Sequence, residues 1–282
     1  MKLGFYLYNV FAQTPLGGNP LAIFDPVPDL SDFLMQALAR QMNLSETLFQ
    51  FPAKDPNHLR AVRIFTPQLE IPFAGHPLLG AAWHLGAGQA NLVLETPAGN
   101  IAFERQDEDL VMTQPPARFG SCFQDHAALA ALLGLKQEDF RFDLPWQVVA
   151  TGLPFLLVPL ANLNALGRIQ PNWSKWSQVF AAFETPHLFC YAPGPPGYDY
   201  QTRVFVPSAG IQEDPATGSA HGPFAAFLEA QGVLGRGQGM MNLQGVEMKR
   251  PSLIKAWPGL PGPRVGGQAT LVGQGWLEIE PD

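Results

Sequence analysis

The chain opens with "KLGFYLYNVF", where apolar and polar positions alternate as on a half-buried strand, and a Gly-Gly-Asn-Pro turn leads into the apolar run "PLAIF". The period then changes. In "SDFLMQALARQMN" the apolar Leu34, Met35, Leu38 and Met42 recur at helical spacing behind a capping Ser31 and Asp32, and Asn43 ends the segment, which predicts a helix with one core-facing side. "LSETLFQFP" reads as a turn into a strand, "LRAVRIFTP" as another strand, and "PLLGAAWHLGAG" as a buried helix opened by Pro77 and closed near Gly86. Strands resume from "NLVLETP" to "DLVMTQPP", and Pro115-Pro116, followed by "ARFGS", forms the candidate linker near the midpoint.

The second half repeats this order. A helix is predicted at "DHAALAALLGL", strands at "WQVVATGLPFLLVPL", a polar interval around Trp173 and Trp176, strands at "HLFCYAP" and "TRVFVP", and a helix at "GPFAAFLEAQG". The tail "QATLVGQGWLEIE" alternates like a final strand and is a candidate to complete the sheet of the first half.

The two halves also share a local pattern. "RIFTP" precedes "FAGHPLLGAAWHL", and "RVFVP" precedes "PATGSAHGPFAAFL"; each reaches a glycine, a polar residue and an Ala-aromatic helix. Such a duplication suggests two similar αβ domains, 1–117 and 118–282, facing across a pseudo-twofold axis, with 268–282 as the strand that returns to the first domain. Gly75-His76 and Gly218-Ser219 then stand at equivalent helix starts, where free amides and positive dipole ends suit a carboxylate-bearing small molecule.

Composition narrows the partners. Of 282 residues 46% are hydrophobic and 15% charged, which is a globular composition with ample core, and the net charge of -7 with only 17 Lys and Arg gives no electrostatic footprint for nucleic acid or an anionic membrane. The opening residues fit neither a signal peptide nor a membrane span, so a cytoplasmic location is expected. Cys122 and Cys190 lack CxxC spacing and read as unpaired thiols, and His76 and His84, eight residues apart on one helix, are separated by about 12 Å of rise, too far to share an ion. No metal is expected.

Three residues remain as chemical candidates: Glu46 in "NLSETLF", His76 in "FAGHP" and Asp214 in "QEDPATGS". Each also has a structural role open to it, as a strand-start residue, a helix cap and an Asx-turn residue respectively. Together they form an acid-base set without a GxSxG-type nucleophile, which suggests proton transfer. Glu46 suits that task if an apolar enclosure raises its pKa, and Leu44, Leu48 and Phe49 are the candidate walls.

The motifs "GGNP", "NLSET", "RIFTP", "IPFAGHPLLG", "EDPATGSA", "QGVEMKRPS" and "VGG", in this order, resemble those of the phenazine-biosynthesis PhzF-like family over nearly the whole chain. The resemblance implies an α+β diaminopimelate-epimerase-like fold: two pseudo-symmetric domains, each a curled, barrel-like β-sheet around a central α-helix, with the active site in the cleft between them. It implies a cofactor-independent isomerase that moves a proton within trans-2,3-dihydro-3-hydroxyanthranilate or a similar small carboxylate through Glu46. His76 and Asp214 would hold the amine and hydroxyl side and assist the proton, while Ser45, Gly75, Gly218 and Ser219 would bind the carboxylate. It also implies a homodimer. The racemases of this fold use two opposed cysteines, and "AGHP" and "DPATG" contain none. The alternatives are an amino-acid epimerase with carboxylates in place of thiols and a non-catalytic metabolite-binding protein. Asn9, Lys249 and His221 depart from the family pattern, and His221 either adds a titratable group to the cleft or turns away from it.

Overall fold

The structure is a computed structural model that describes residues 1–24 and 30–280. The first half contains β1 (Lys2–Val10), β2 (Asn19–Phe24), α1 (Asp32–Met42), β3 (Glu46–Phe51), β4 (Arg60–Phe65), β5 (Glu70–Ile71), α2 (Gly75–Leu85), β6 (Asn91–Thr96), β7 (Gly99–Gln106) and β8 (Asp109–Thr113). The second contains β9 (Arg118–Cys122), α3 (His126–Leu133), β10 (Gln147–Ala150), β11 (Pro154–Pro159), α4 (Leu163–Gly167), α5 (Trp173–Val179), β12 (Leu188–Pro193), β13 (Tyr200–Val206), β14 (Ile211–Asp214), α6 (Gly218–Ala230), β15 (Met240–Gln244), β16 (Ser252–Trp257), β17 (Arg264–Gly267) and β18 (Ala269–Glu278).

Strand pairing repeats between the halves. β1–β2 is antiparallel, β2–β3 parallel, β3–β4 antiparallel, β4–β6 parallel, and β6–β7 and β7–β8 antiparallel. The series β10, β11, β12, β13, β15, β16, β17 follows the same sequence of directions, with β5 and β14 as equivalent short hairpin partners of β4 and β13. The repeat extends to side chains: Arg63 grips Glu70 through two hydrogen bonds of 2.8 and 2.6 Å, and Arg203 grips Glu213 through two of 2.8 Å. Each pair fastens a hairpin that leads to a central helix, as a planar guanidinium matched to a carboxylate does. Among the described residues two pairings join the halves: β17 with β8, and the final strand β18 with β1.

Each half wraps its sheet around one helix. α2 is apolar on nearly every side and buried from Gly75 to Ala82, and α6 is buried at most positions from Gly218 to Leu228. Helices of that composition have no solvent face, so the curled sheet must enclose them. They share one continuous core with Leu21, Leu48, Phe155, Phe189 and Ile254 from the surrounding strands. α1 packs outside the first sheet, capped by Ser31 Oγ accepting from the Leu34 amide, and ends at Asn43 in a left-handed conformation. α3, α4 and α5 cover the outside of the second.

Two details differ from the sequence reading. The polar interval contains two short helices, and α5 anchors there by burying Trp176, whose Nε1 donates to the Pro186 carbonyl at 2.9 Å. The helix expected over "GPFAAFLEAQG" starts four residues earlier, at the Gly218 helix start that the repeat between the halves indicates, so "GSAH" is already its first turn.

Phe224 of α6 is fully buried and Phe33 of α1 is 72% exposed. Urea denaturation of Phe224→Ala should show a loss of about 3–5 kcal/mol, and Phe33→Ala a change within about 0.5 kcal/mol; comparable losses would mean that α6 is not enclosed as described.

Candidate active site

The two central helices point their first turns at one another. A Cβ placed on Gly75 would lie 2.8 Å from the Ser219 backbone nitrogen, and one on Gly218 would lie 3.0 Å from the Phe11 ring, so neither position accommodates a side chain without displacement. Both helices also start uncapped: Ala74 has no capping group, and the Thr217 hydroxyl is engaged elsewhere. First-turn amides therefore converge with two positive dipole ends, an arrangement that favours an anion between them.

Asn19, the Asn of the Gly-Gly-Asn-Pro turn, ties this junction together. Its Nδ2 donates to Asp214 Oδ1 at 2.8 Å and to the Ala216 carbonyl at 3.0 Å, and approaches His76 Nδ1 at 3.2 Å. An amide nitrogen has two hydrogens, and the two oxygens take them, so the His76 approach is the weakest of the three. Ser45 Oγ donates to Asn19 Oδ1 at 3.1 Å. The turn carrying Asn19 is held from the second half, where Arg250 donates to the carbonyls of Gly17 and Gly18 and to Asn9 Oδ1. This gives "GGNP" and "KRP" their joint role, and it places Asn9 in that clamp. Lys249 adopts φ 58°, the left-handed region that glycine occupies at no cost.

Asp214 accepts on both oxygens, with lone pairs left over. Besides Asn19 it accepts from Thr217 Oγ1 at 2.5 Å, and Gln244 braces the turn by donating to the Asp214 carbonyl at 2.6 Å and to Thr217 Oγ1 at 2.9 Å. Glu46, at the start of β3, is different. Its Oε2 is buried with no hydrogen-bond partner, as is His76 Nε2, and these two atoms stand 3.5 Å apart. Burial pushes Glu46 up to about 8, the neighbouring Asp214 charge adds to the rise, and a Ser45 hydrogen bond opposes it. Burial pushes Asp214 to about 6, with hydrogen bonds from Thr217 and Asn19 opposing. Burial takes His76 down to about 3 against a hydrogen bond to the Pro20 backbone. The Glu46–His76 contact is thus between a carboxyl biased toward its protonated form and a neutral imidazole, while the donors on both Asp214 oxygens favour its charged form; carboxyls driven apart in this way divide acid and base roles.

Glu46, Gly75, His76, Asp214, Gly218 and Ser219 all line one cavity of about 890 Å³ between the halves. Ser45 does not line it and stands behind Glu46 and Asn19. His221 is fully buried behind the helix start; Nδ1 lies 2.8 Å from the Thr217 carbonyl, Nε2 contacts Asn242, and the ring meets Phe189 edge-on, so it is a packing residue there. Leu44, Leu48 and Phe49 are not in the cavity wall either. Leu48 and Phe49 point to the inner and outer cores, and the apolar walls come from Ile71, Pro72, Phe73 and Phe155. Asn19 and Gln244 escaped the sequence reading because a lone Asn in a turn and a lone Gln in a strand carry no spacing signal; only "GGNP" hinted at the first. Both cysteines are free thiols and neither lines the cavity. Among the described residues no helix is long and apolar enough to cross a membrane.

A profile described as "Phenazine biosynthesis-like protein" matches residues 8–275. A trans-2,3-dihydro-3-hydroxyanthranilate isomerase of Pseudomonas chlororaphis is 39% identical over 89% of this chain and 89% of its own. A solved structure of a predicted epimerase from Pseudomonas aeruginosa is 34% identical, covers 99% of this chain and 100% of its own, and superposes with a TM-score of 0.83. A hydroxyproline epimerase from Agrobacterium vitis, solved with bound trans-4-hydroxy-L-proline, shares the fold at 13% identity, with a TM-score of 0.62 over 98% of this chain and 92% of its own.

Two outcomes test the junction. Gly75→Ala should cost about 1–3 kcal/mol in denaturant titration, because the added methyl forces the helix starts apart. Glu46 ionises near 4.5 when unfolded but near 8 when folded; the folded state holds the extra proton between those values and loses stability as pH rises through them. Glu46→Gln removes that slope, so the variant should gain on wild type by at most about 1.4 kcal/mol per pH unit across this window, and the difference should level off in more acidic buffer, as followed by thermal melts.

Proposed function

The chain belongs to the phenazine biosynthesis-like protein family and is an isomerase; we propose that it moves a proton within a small carboxylate of the trans-2,3-dihydro-3-hydroxyanthranilate kind, using Glu46 as the proton carrier and no cofactor. The observation that carries this reading is the buried, unpartnered Oε2 of Glu46, 3.5 Å from the equally unpartnered Nε2 of His76, in a cavity where two uncapped helices converge.

The substrate carboxylate sits against the first-turn amides of α2 and α6, an anion seat already formed before binding. Ionised Glu46 then takes a proton from a ring carbon, the C–H electron pair passes into the adjacent double bond, and the protonated Glu46 returns the proton at the far end of the displaced π-system. A carboxyl poised near 8 keeps both forms accessible at neutral pH, which is what a group that takes and returns one proton requires. Neutral His76 donates or accepts a hydrogen bond without competing for charge. Ionised Asp214, already positioned by Asn19 and Thr217, holds a cationic amine on the substrate.

Incubation of trans-2,3-dihydro-3-hydroxyanthranilate with the protein in deuterated buffer, followed by NMR, tests this. Wild type should convert it, and Glu46→Gln, while still folded, should lose about 10²–10⁴-fold or more in rate. Inversion of one stereocentre without movement of the double bond would instead identify an epimerase, and unchanged turnover by the variant would remove Glu46 from the chemistry. For wild type, kcat/KM should rise with pH, pass half-maximum near 8 and level off about one unit above, because the free enzyme must present ionised Glu46.

A further inference from the structure

The cavity that holds Glu46, His76 and Asp214 has a second polar corner, farther along the β13–β14 hairpin. His187, 5% exposed, and Ser208 line it there, beside Phe155, Val206 and Ile211. His187 Nδ1 lies 3.2 Å from the Pro154 carbonyl, which only accepts, so Nδ1 carries the ring hydrogen. Nε2 is therefore bare and takes the hydroxyl hydrogen of Ser208. Ser208 Oγ is left presenting lone pairs, and what it can receive is a donor. Burial holds the imidazole below its ordinary range, in keeping with a neutral ring.

The β13–β14 hairpin measures the separation of the two ends. Val204 pairs with Asp214, Val206 with Ile211, and Ser208 stands in the turn beyond. At about 3.4 Å per extended residue, and less through the turn, Ser208 lies roughly 10–13 Å along the hairpin from the Asp214 level. A one-ring acid with bonds of about 1.5 Å spans roughly 7 Å, so it fills the catalytic end without reaching Ser208. The cavity of about 890 Å³ is likewise at the upper end of the range of about 300–1,000 Å³ that takes drug-sized ligands.

We propose that the site also takes carboxylates longer than one ring: the carboxylate sits between the helix starts, an apolar middle lies against Phe155, Val206 and Ile211, and a hydroxyl or amine at the far end donates to Ser208. This assignment rests on the reading of the helix starts as the carboxylate seat. His187 acts by positioning the Ser208 hydroxyl, and neither residue touches the reacting carbons.

Calorimetric titration of the whole protein with benzoate, biphenyl-3-carboxylate and 4′-hydroxybiphenyl-3-carboxylate tests it. Affinity should rise about tenfold or more with the second ring and about three- to tenfold again with the hydroxyl. Ser208→Ala, at an exposed position, should abolish the hydroxyl increment and leave that of the ring. A flat series, or a hydroxyl increment that survives in Ser208→Ala, overturns the proposal while leaving the proton-transfer site intact. The corresponding carboxamides separate the two readings: they should bind at least about tenfold more weakly, and equal binding would remove the anion seat even if the affinity gain along the series persisted.

Discussion

The approach of two helix starts to van der Waals contact is the constraint around which this molecule is arranged. Gly75 and Gly218 permit it, since a methyl on Gly75 would collide with the Ser219 nitrogen. Two positive dipole ends brought together repel, and neither helix relieves its free amides with a cap. The surroundings supply the opposite sign through Asp214, which stands at the same junction, and the seat that remains suits an external anion. The buried core around α2 and α6 holds this unfavourable meeting in place.

Polar bonds across the halves fix it further. Asn19 comes from the first half and binds Asp214 and Ala216 of the second, while Arg250 of the second grips the turn that carries Asn19. The same network explains why the two acids differ. Asp214 receives donors on both oxygens and can be charged, whereas Glu46 keeps a bare oxygen and retains its proton. Stability is given up at Glu46 to obtain a titratable group near neutrality, as is common where a site is strained for function.

Much of the architecture was legible because it is written twice. The Arg-Phe-Pro segments mark equivalent strands, and the structure extends that likeness to the Arg63–Glu70 and Arg203–Glu213 clamps. Long apolar segments such as "PLLGAAWHL" have one stable placement, inside a sheet. The short α4 and α5 lack that signal, since their helicity depends on tertiary anchors such as the Trp176 indole. At the site, Glu46, His76 and Asp214 stood in turn-rich motifs and lie in one cavity. Whether Ser45 and His221 faced that cavity depended on side-chain direction, which the order of residues does not contain. The role of Asn19 depended on partners 57 and 195 residues away.

The bare Glu46 oxygen has a further consequence once a ligand fills the cavity. At 3.5 Å from it stands an imidazole nitrogen that burial makes a poor base, so the proton does not pass readily across this contact. A proton parked on such a group is stored rather than conducted. Under the proposed mechanism the isomerase has an isotopic memory: a heavy hydrogen lifted from the substrate goes back into the same molecule, and the solvent label enters the product more slowly than the double bond moves.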